Sequence, residues 1–211
     1  MTGTKGKRQI QPVADRFDKQ KTYMEQMERY YMAIKHGFNL EAIMIDYACM
    51  EDRLRYMLYY LGVIEKESDY KITGKSYRVR CFRDILHEYI DPKMNMSITS
   101  ISGKRSIVRS IFCMAGSDNR PNDSDKQRRL LWDALNDEKH IKEILLLLDE
   151  IESWCGYRNE IVHCLLNKNL ESLYERIGQQ TEEGYRLFRR LDSQVQWVKR
   201  KRLREKMKLT P

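Results

Sequence analysis

The 211-residue chain is poor in the residues that punctuate a fold, with only ten glycines and four prolines. Many short strands joined by tight turns would need more of both, so a β-sandwich or small barrel is excluded. The prolines stand at 12, 92, 121 and 211, which leaves 13–91 and 122–210 free of the strongest helix breaker. Long hydrophobic runs are missing too. The longest aliphatic stretch, Ile144 to Leu148, is far too short to span a bilayer. Near the start, Lys5, Lys7 and Arg8 are followed by no apolar segment, so no secretory signal is expected. Five cysteines (49, 81, 113, 155 and 164) are scattered and never form a C-x-x-C pair. That pattern excludes a disulfide framework and predicts small core residues in a reducing compartment, hence a cytoplasmic protein. No His/Cys/Asp group has metal-ligand spacing, so neither a metal nor another cofactor is expected.

What the sequence does contain is helical periodicity. Met24, Met27, Tyr31, Ile34 and Phe38 step by threes and fours, as do Leu40, Ile43, Tyr47, Met50, Leu54, Met57 and Leu61. The same step runs through Ile141, Ile144, Leu148, Ile151 and Cys155. These stripes predict a helix over 15–36 closed by Gly37, and a second, capped by Asn39, ending near Gly62; the pair forms an antiparallel hairpin. A loop is expected over 65–79, then a short helix from Arg80 to Ile90. An irregular middle over 91–124 holds one helix around Ser106 to Met114. Helices are expected over 125–135 and from Asp137 to about Leu166, then one capped by Asn169 and another from Thr181 onward. The fold class is therefore all-α, a helical bundle around the long hairpin and the 137–166 helix. The expected organisation is a flexible arm over 1–14, one helical domain over 15–198 and a basic tail over 199–211. The methionines at 24, 27, 44, 50 and 57 read as core filling.

Charge narrows the partners. Lys and Arg total 39 against 31 Asp and Glu, a net charge of +8, which makes a polyanion the first partner to test. Lys199, Arg200, Lys201, Arg202 and Arg204 crowd the C-terminal tail and are the candidate RNA-phosphate contacts. Lys104, Arg105, Arg109, Arg128 and Arg129 could extend that field. The aromatics do not interleave with these charges along the sequence as a stacking platform would. Gly74-Lys75-Ser76 resembles the end of a phosphate-binding loop, but Asp69 stands where the motif needs its first Gly, and no apolar strand precedes it. Arg83 and His87 read as a solvated basic face, His36 as a helix-end cation and His140 as a surface residue.

One segment breaks its own pattern. The stripe 144, 148, 151, 155 extends to 158 and then to Val162 and Leu165, yet position 158 is an arginine. A guanidinium on an apolar seam is costly unless paired or facing an anion. Asn159 and His163 are four apart and share a helical face, with Arg158 about 140° round from His163. An imidazole can take the proton of a 2′-hydroxyl, and a guanidinium can hold phosphoryl oxygens as charge develops. The competing expectation is structural: Arg158 paired with a carboxylate such as Glu51, Asp52 or Glu152, and His163 hydrogen-bonded in the core.

Arg158-Asn159-x-x-x-His163 resembles the R-N-x-x-x-H signature of HEPN-domain ribonucleases. With 21 Arg, 8 Asn and 4 His in the chain, chance predicts roughly 0.015 such occurrences. The setting is similar too, a late helix with Trp154 and Tyr157 just before the Arg and apolar residues after the His. The resemblance implies a four- or five-helix bundle that dimerises. Two motif copies would then form one composite, metal-independent site for cleaving single-stranded RNA through 2′-hydroxyl attack. It implies catalytic positions for Arg158, Asn159 and His163, no cofactor, and a place among toxins, antiviral defence and abortive-infection proteins, with an antitoxin or defence partner. In the family's toxins a Tyr commonly follows the His by two positions; here that position is Leu165. The alternative is a non-catalytic helical HEPN-like module that binds RNA or a protein.

Overall fold

The computed structural model describes the backbone of residues 16–93, 98–164 and 170–209, and side chains over 19–93, 98–163 and 176–207. The described residues form eight helices and no strand: α1 Arg16–Lys35, α2 Asn39–Tyr60, α3 Ser76–Tyr89, α4 Ile101–Ala115, α5 Lys126–Leu135, α6 Glu138–Cys164, α7 Leu170–Arg200 and α8 Leu203–Leu209. The protein is all-α. Among the described residues no helix is long and apolar enough to cross a membrane.

The long hairpin is present as α1 and α2. Gly37 and Gly62 follow the two helices with φ of +75° and +80°, the left-handed conformation in which a Cβ is penalised. Asn39, expected as a cap, is instead the first residue of α2: Phe38 stands at the cap position, with no side-chain cap bond. The α3 helix starts at Ser76 rather than Arg80, and α4 is longer than expected because Ser100 caps it, accepting from the Gly103 amide at 3.1 Å. The two late helices expected from Asn169 and Thr181 are one, α7. Thr181 does not start a helix: its hydroxyl donates to the Ile177 carbonyl at 2.8 Å, one turn back, so a residue that could cap is satisfied in mid-helix. Asn169 itself lies outside the described residues.

The core is built on α2, whose most extensive contact is with α7. Ile43, Met50, Leu54, Met57 and Leu61 are fully buried, as the second stripe predicts, and the 141–155 stripe of α6 is buried too. Gly184 lets α7 approach closely: a Cβ there would lie 2.7 Å from the Trp154 ring and 2.8 Å from Asp46 Oδ2. Trp154 in turn ties α6 to α7. Its indole N–H donates to the Gln180 carbonyl at 2.8 Å, and the Gln180 amide donates back to the Trp154 carbonyl at 3.2 Å. Four cysteines, 49, 81, 113 and 155, are free thiols in or beside this core.

The α1 stripe turns the other way. Tyr30 and Ala33 are buried and Tyr23 and Met27 partly so, while Met24 (57% exposed), Tyr31, Ile34 and Phe38 (61%) face outward. Met24 and Met44 are therefore not core filling; Met50 and Met57 are. The reason is that α1 carries apolar residues on more than one face, so spacing alone does not select the face that meets α2. The basic tail is not a free tail either. Residues 199 and 200 end α7, and α8 docks through the buried side chains Leu203 and Met207.

Candidate active site at the end of α6

The last turns of α6 are set by the Trp154–Gln180 clasp, one turn before Arg158. Beyond it the buried seam runs through Ile161 rather than Val162, which is exposed. The sequence 151, 154, 158, 161 still has helical spacing, so Arg158 does stand on the seam, where its side chain meets α2. The guanidinium lies over the Tyr47 ring, 4.5 Å from its centroid. One terminal nitrogen donates to Asn159 Oδ1 at 2.9 Å and the other approaches Met44 Sδ at 3.0 Å. Nε is buried with no hydrogen-bond partner.

None of the three carboxylates considered for Arg158 takes it. Glu51 accepts from Lys104 at 2.6 Å, Asp52 pairs with Lys19 and Arg53 at 3.2 Å each, and Glu152 pairs with Arg105. Among the described residues no ion pair involves Arg158. Nor is His163 in the core. It is exposed in the last turn of α6 and has no hydrogen-bond partner among the described residues. Both halves of the structural expectation therefore fail. Asn159 is exposed and already bonded to Arg158, so it links the guanidinium to the helix face that carries His163. The structure brings Arg158 and Asn159 together. It leaves His163 on the exposed surface beside them, with no hydrogen bond to either. Leu165 lies outside the described residues.

Sequence reasoning missed Tyr47 and Met44 as site residues, since their role appears only when α2 packs on α6. The Tyr47 hydroxyl is raised above the ordinary tyrosine value by burial, then by Glu51, so it stays a donor.

The basic candidates are elsewhere. Lys199 and Arg200 end α7, Lys201 and Arg202 form the turn after it and Arg204 is on α8, whereas the motif is at the end of α6. Tyr47 under Arg158 and Tyr60 under Lys199 are 13 residues apart on α2, a rise of about 20 Å. Three of these cations lie over rings, Lys199 over Tyr60, Lys201 over Trp197 and Arg204 over Tyr59, and Arg204 also donates to the Glu65 carbonyl at 3.0 Å. The field expected from the middle of the chain is neutralised. Lys104, Arg105, Arg109, Arg128 and Arg129 each pair with a carboxylate. Gly74-Lys75-Ser76 does open α3, but the Arg78 guanidinium fills the space over Gly74, held by Glu65 at 2.6 Å. His140 is half-buried, stacked on Trp197 and bonded to Gln194 at 3.0 Å, not a free surface residue. No group of three or more His, Cys, Asp or Glu side chains among the described residues could hold a metal ion.

Comparison with protein-family models, with curated proteins and with solved structures returns no match.

Proposed function

We propose that the protein is a HEPN-like endoribonuclease that cleaves single-stranded RNA in the cytoplasm, in bacterial defence or as a toxin. The observation that carries this reading is Arg158, a cation on the core seam with no carboxylate partner among the described residues, hydrogen-bonded to the Asn159 that follows it. An arginine keeps its charge at any physiological pH, so an unpaired one at a half-exposed edge is suited to an incoming anion. His163 would take the proton of a 2′-hydroxyl, whose oxygen then attacks the adjacent phosphorus. Arg158 would neutralise the non-bridging oxygens as charge builds, with Asn159 fixing the guanidinium. The P–O5′ bond breaks as the 5′-oxygen takes a proton from solvent, giving a 2′,3′-cyclic phosphate and a 5′-hydroxyl, and the His163 imidazolium returns its proton to solvent.

One chain would present only part of such a site, since among the described residues no hydrogen-bond partner orients His163. A homodimer with two motifs facing each other supplies the rest. Exposed Met44 and Val162 border Arg158 and His163, and Phe38 and Ile34 extend an apolar surface along the hairpin tip that a second copy would cover. An antitoxin or a defence partner would compete for that face. The separation of the basic end from the motif favours one other reading, a non-catalytic module that holds RNA at α7–α8 and a protein at the hairpin tip.

The test is labelled RNA incubated with the protein in EDTA. Products ending in 2′,3′-cyclic phosphate, absent with His163→Ala, are the expected result. RNA left intact by the wild type, or cut equally by His163→Ala, would leave only the binding module.

A further inference from the structure

At the far end of the bundle from the motif, α1, α2 and α7 surround a cavity of about 410 Å³. Three tyrosines, Tyr23, Tyr56 and Tyr60, alternate around it with three cations, Lys19, Arg53 and Lys199. The volume falls in the range of small-ligand sites. Tyr56 and Tyr60 are stacked, with centroids 5.9 Å apart and planes 24° off parallel. Arg53 lies over both Tyr56 and Tyr23, at 5.0 and 5.3 Å, and is fixed by Asp52 and Asp192 at 3.2 Å each. Lys19 is held over Tyr56 at 4.2 Å by Asp52. The floor is thus rigid and largely neutralised. Lys199 differs. It is exposed, no ion pair among the described residues uses it, and its ammonium hovers 5.7 Å from the Tyr60 centroid on a flexible stem.

Burial pushes the Tyr23 hydroxyl up to about 12 and raises Tyr56, whose hydroxyl is engaged by Lys19 and Glu67, so the floor of the cavity carries neutral phenols. The alternation continues outside the cavity, where Arg204 covers Tyr59 and Lys201 covers Trp197. Cations interleaved with aromatic faces are the equipment for a chain of stacked bases and phosphates. An acidic peptide would use the charges and leave the stacked rings without a role. Arg53 and Tyr56 are neighbours on α2 and Lys201 follows Trp197 by four residues, but Lys199 from α7 and Arg204 from α8 meet the α2 rings Tyr60 and Tyr59 only in the packed bundle.

We propose that this cavity is a nucleotide-anchoring groove for single-stranded RNA, in which a base stacks on Tyr60 and Tyr56 and its phosphate meets Lys199. It rests on the reading of RNA as the partner and not on cleavage. The motif would then act on a strand held some distance from the cut.

The probe is a fluorescent 2′-O-methyl oligoadenylate decamer, which lacks the attacking hydroxyl, titrated into the full-length protein by anisotropy. Because this probe cannot be cleaved, the outcome is independent of whether Arg158 and His163 form a nuclease. Tyr60→Leu and Tyr56→Leu should each weaken binding about tenfold at constant salt slope. Lys199→Gln should weaken it and reduce the salt slope by about one. Lys139→Gln, an exposed charge on α6, should change little. Should a tyrosine variant lose its helical circular dichroism, Lys199→Gln against Lys139→Gln decides. Absence of binding, unchanged affinity in folded Tyr60→Leu, or equal losses for Lys199→Gln and Lys139→Gln would overturn the proposal, the last by reducing it to diffuse charge attraction.

Discussion

Two cations lie against the same face of α2, one turn apart, and they are treated in opposite ways. Lys104 from α4 is 1% exposed and meets Glu51 at 2.6 Å. Arg158 from α6 meets the ring of Tyr47, four residues earlier, and no carboxylate among the described residues. Glu51 could serve either, but Lys104 takes it and Arg55 stands 3.9 Å away. Desolvation outweighs the pull of Glu51 and lowers the Lys104 ammonium below the ordinary lysine value, so the ion pair is what keeps that charge in the interior. The comparison separates a cation that holds the bundle together from one that the bundle holds in place.

Asp46, also on α2, shows what happens to an unpaired charge with nowhere to go. It is 1% exposed, its Oδ2 has no partner, and burial pushes it up to about 8. A carboxylate can shed its charge by taking a proton; a guanidinium cannot. An unpaired arginine must therefore stay at an edge where water or a ligand anion reaches it, as Arg158 does.

The largest effects expected are at Lys104 and Asp46. Lys104→Ala strands Glu51 against the core and should cost about 3 kcal/mol in urea unfolding, while Lys104→Met with Glu51→Leu should recover most of it. A loss below about 1 kcal/mol would erase the contrast with Arg158. Asp46 comes next. Its folded-state value lies above its unfolded one, so the folded state binds the proton more tightly, and stability falls as pH rises from about 4 to about 8. Asp46→Asn should remove that slope. Between pH 5 and pH 8 the gap between variant and wild type should widen by about 3 to 4 kcal/mol. Parallel curves would mean that Asp46 is ionised in the fold. The smallest effect is at Tyr47, argued to be a positioning residue. Tyr47→Leu should slow RNA cleavage about tenfold, with Tyr47→Phe restoring it because the ring, not the hydroxyl, faces the guanidinium. Equal rates for all three would remove Tyr47 from the site.

What could be read in the sequence follows from how local each signal is. The α2 and α6 stripes are legible because one apolar face per helix leaves no choice, whereas α1 offers apolar residues on several faces and its spacing selected the outward one. Arg158 is legible as a break in a periodic seam. Lys104 is not, because Glu51 lies 53 residues away and Lys104 sits among other basic residues that look like surface. Such distance also hid Tyr60 under Lys199, Tyr59 under Arg204 and Tyr47 under Arg158. Residues that carry the motif announce themselves, and the residues that hold them in place appear only in the packed bundle.

The central claim is that Arg158 serves an incoming phosphate rather than the fold. Single-turnover RNA cleavage by Arg158→Ala, compared with wild type at equal folded fraction, tests it most directly. A rate at least about 100-fold lower, with unfolding free energy changed by less than about 1 kcal/mol, is the result expected. An unchanged rate, or a rate lost only because the variant unfolds, would contradict it.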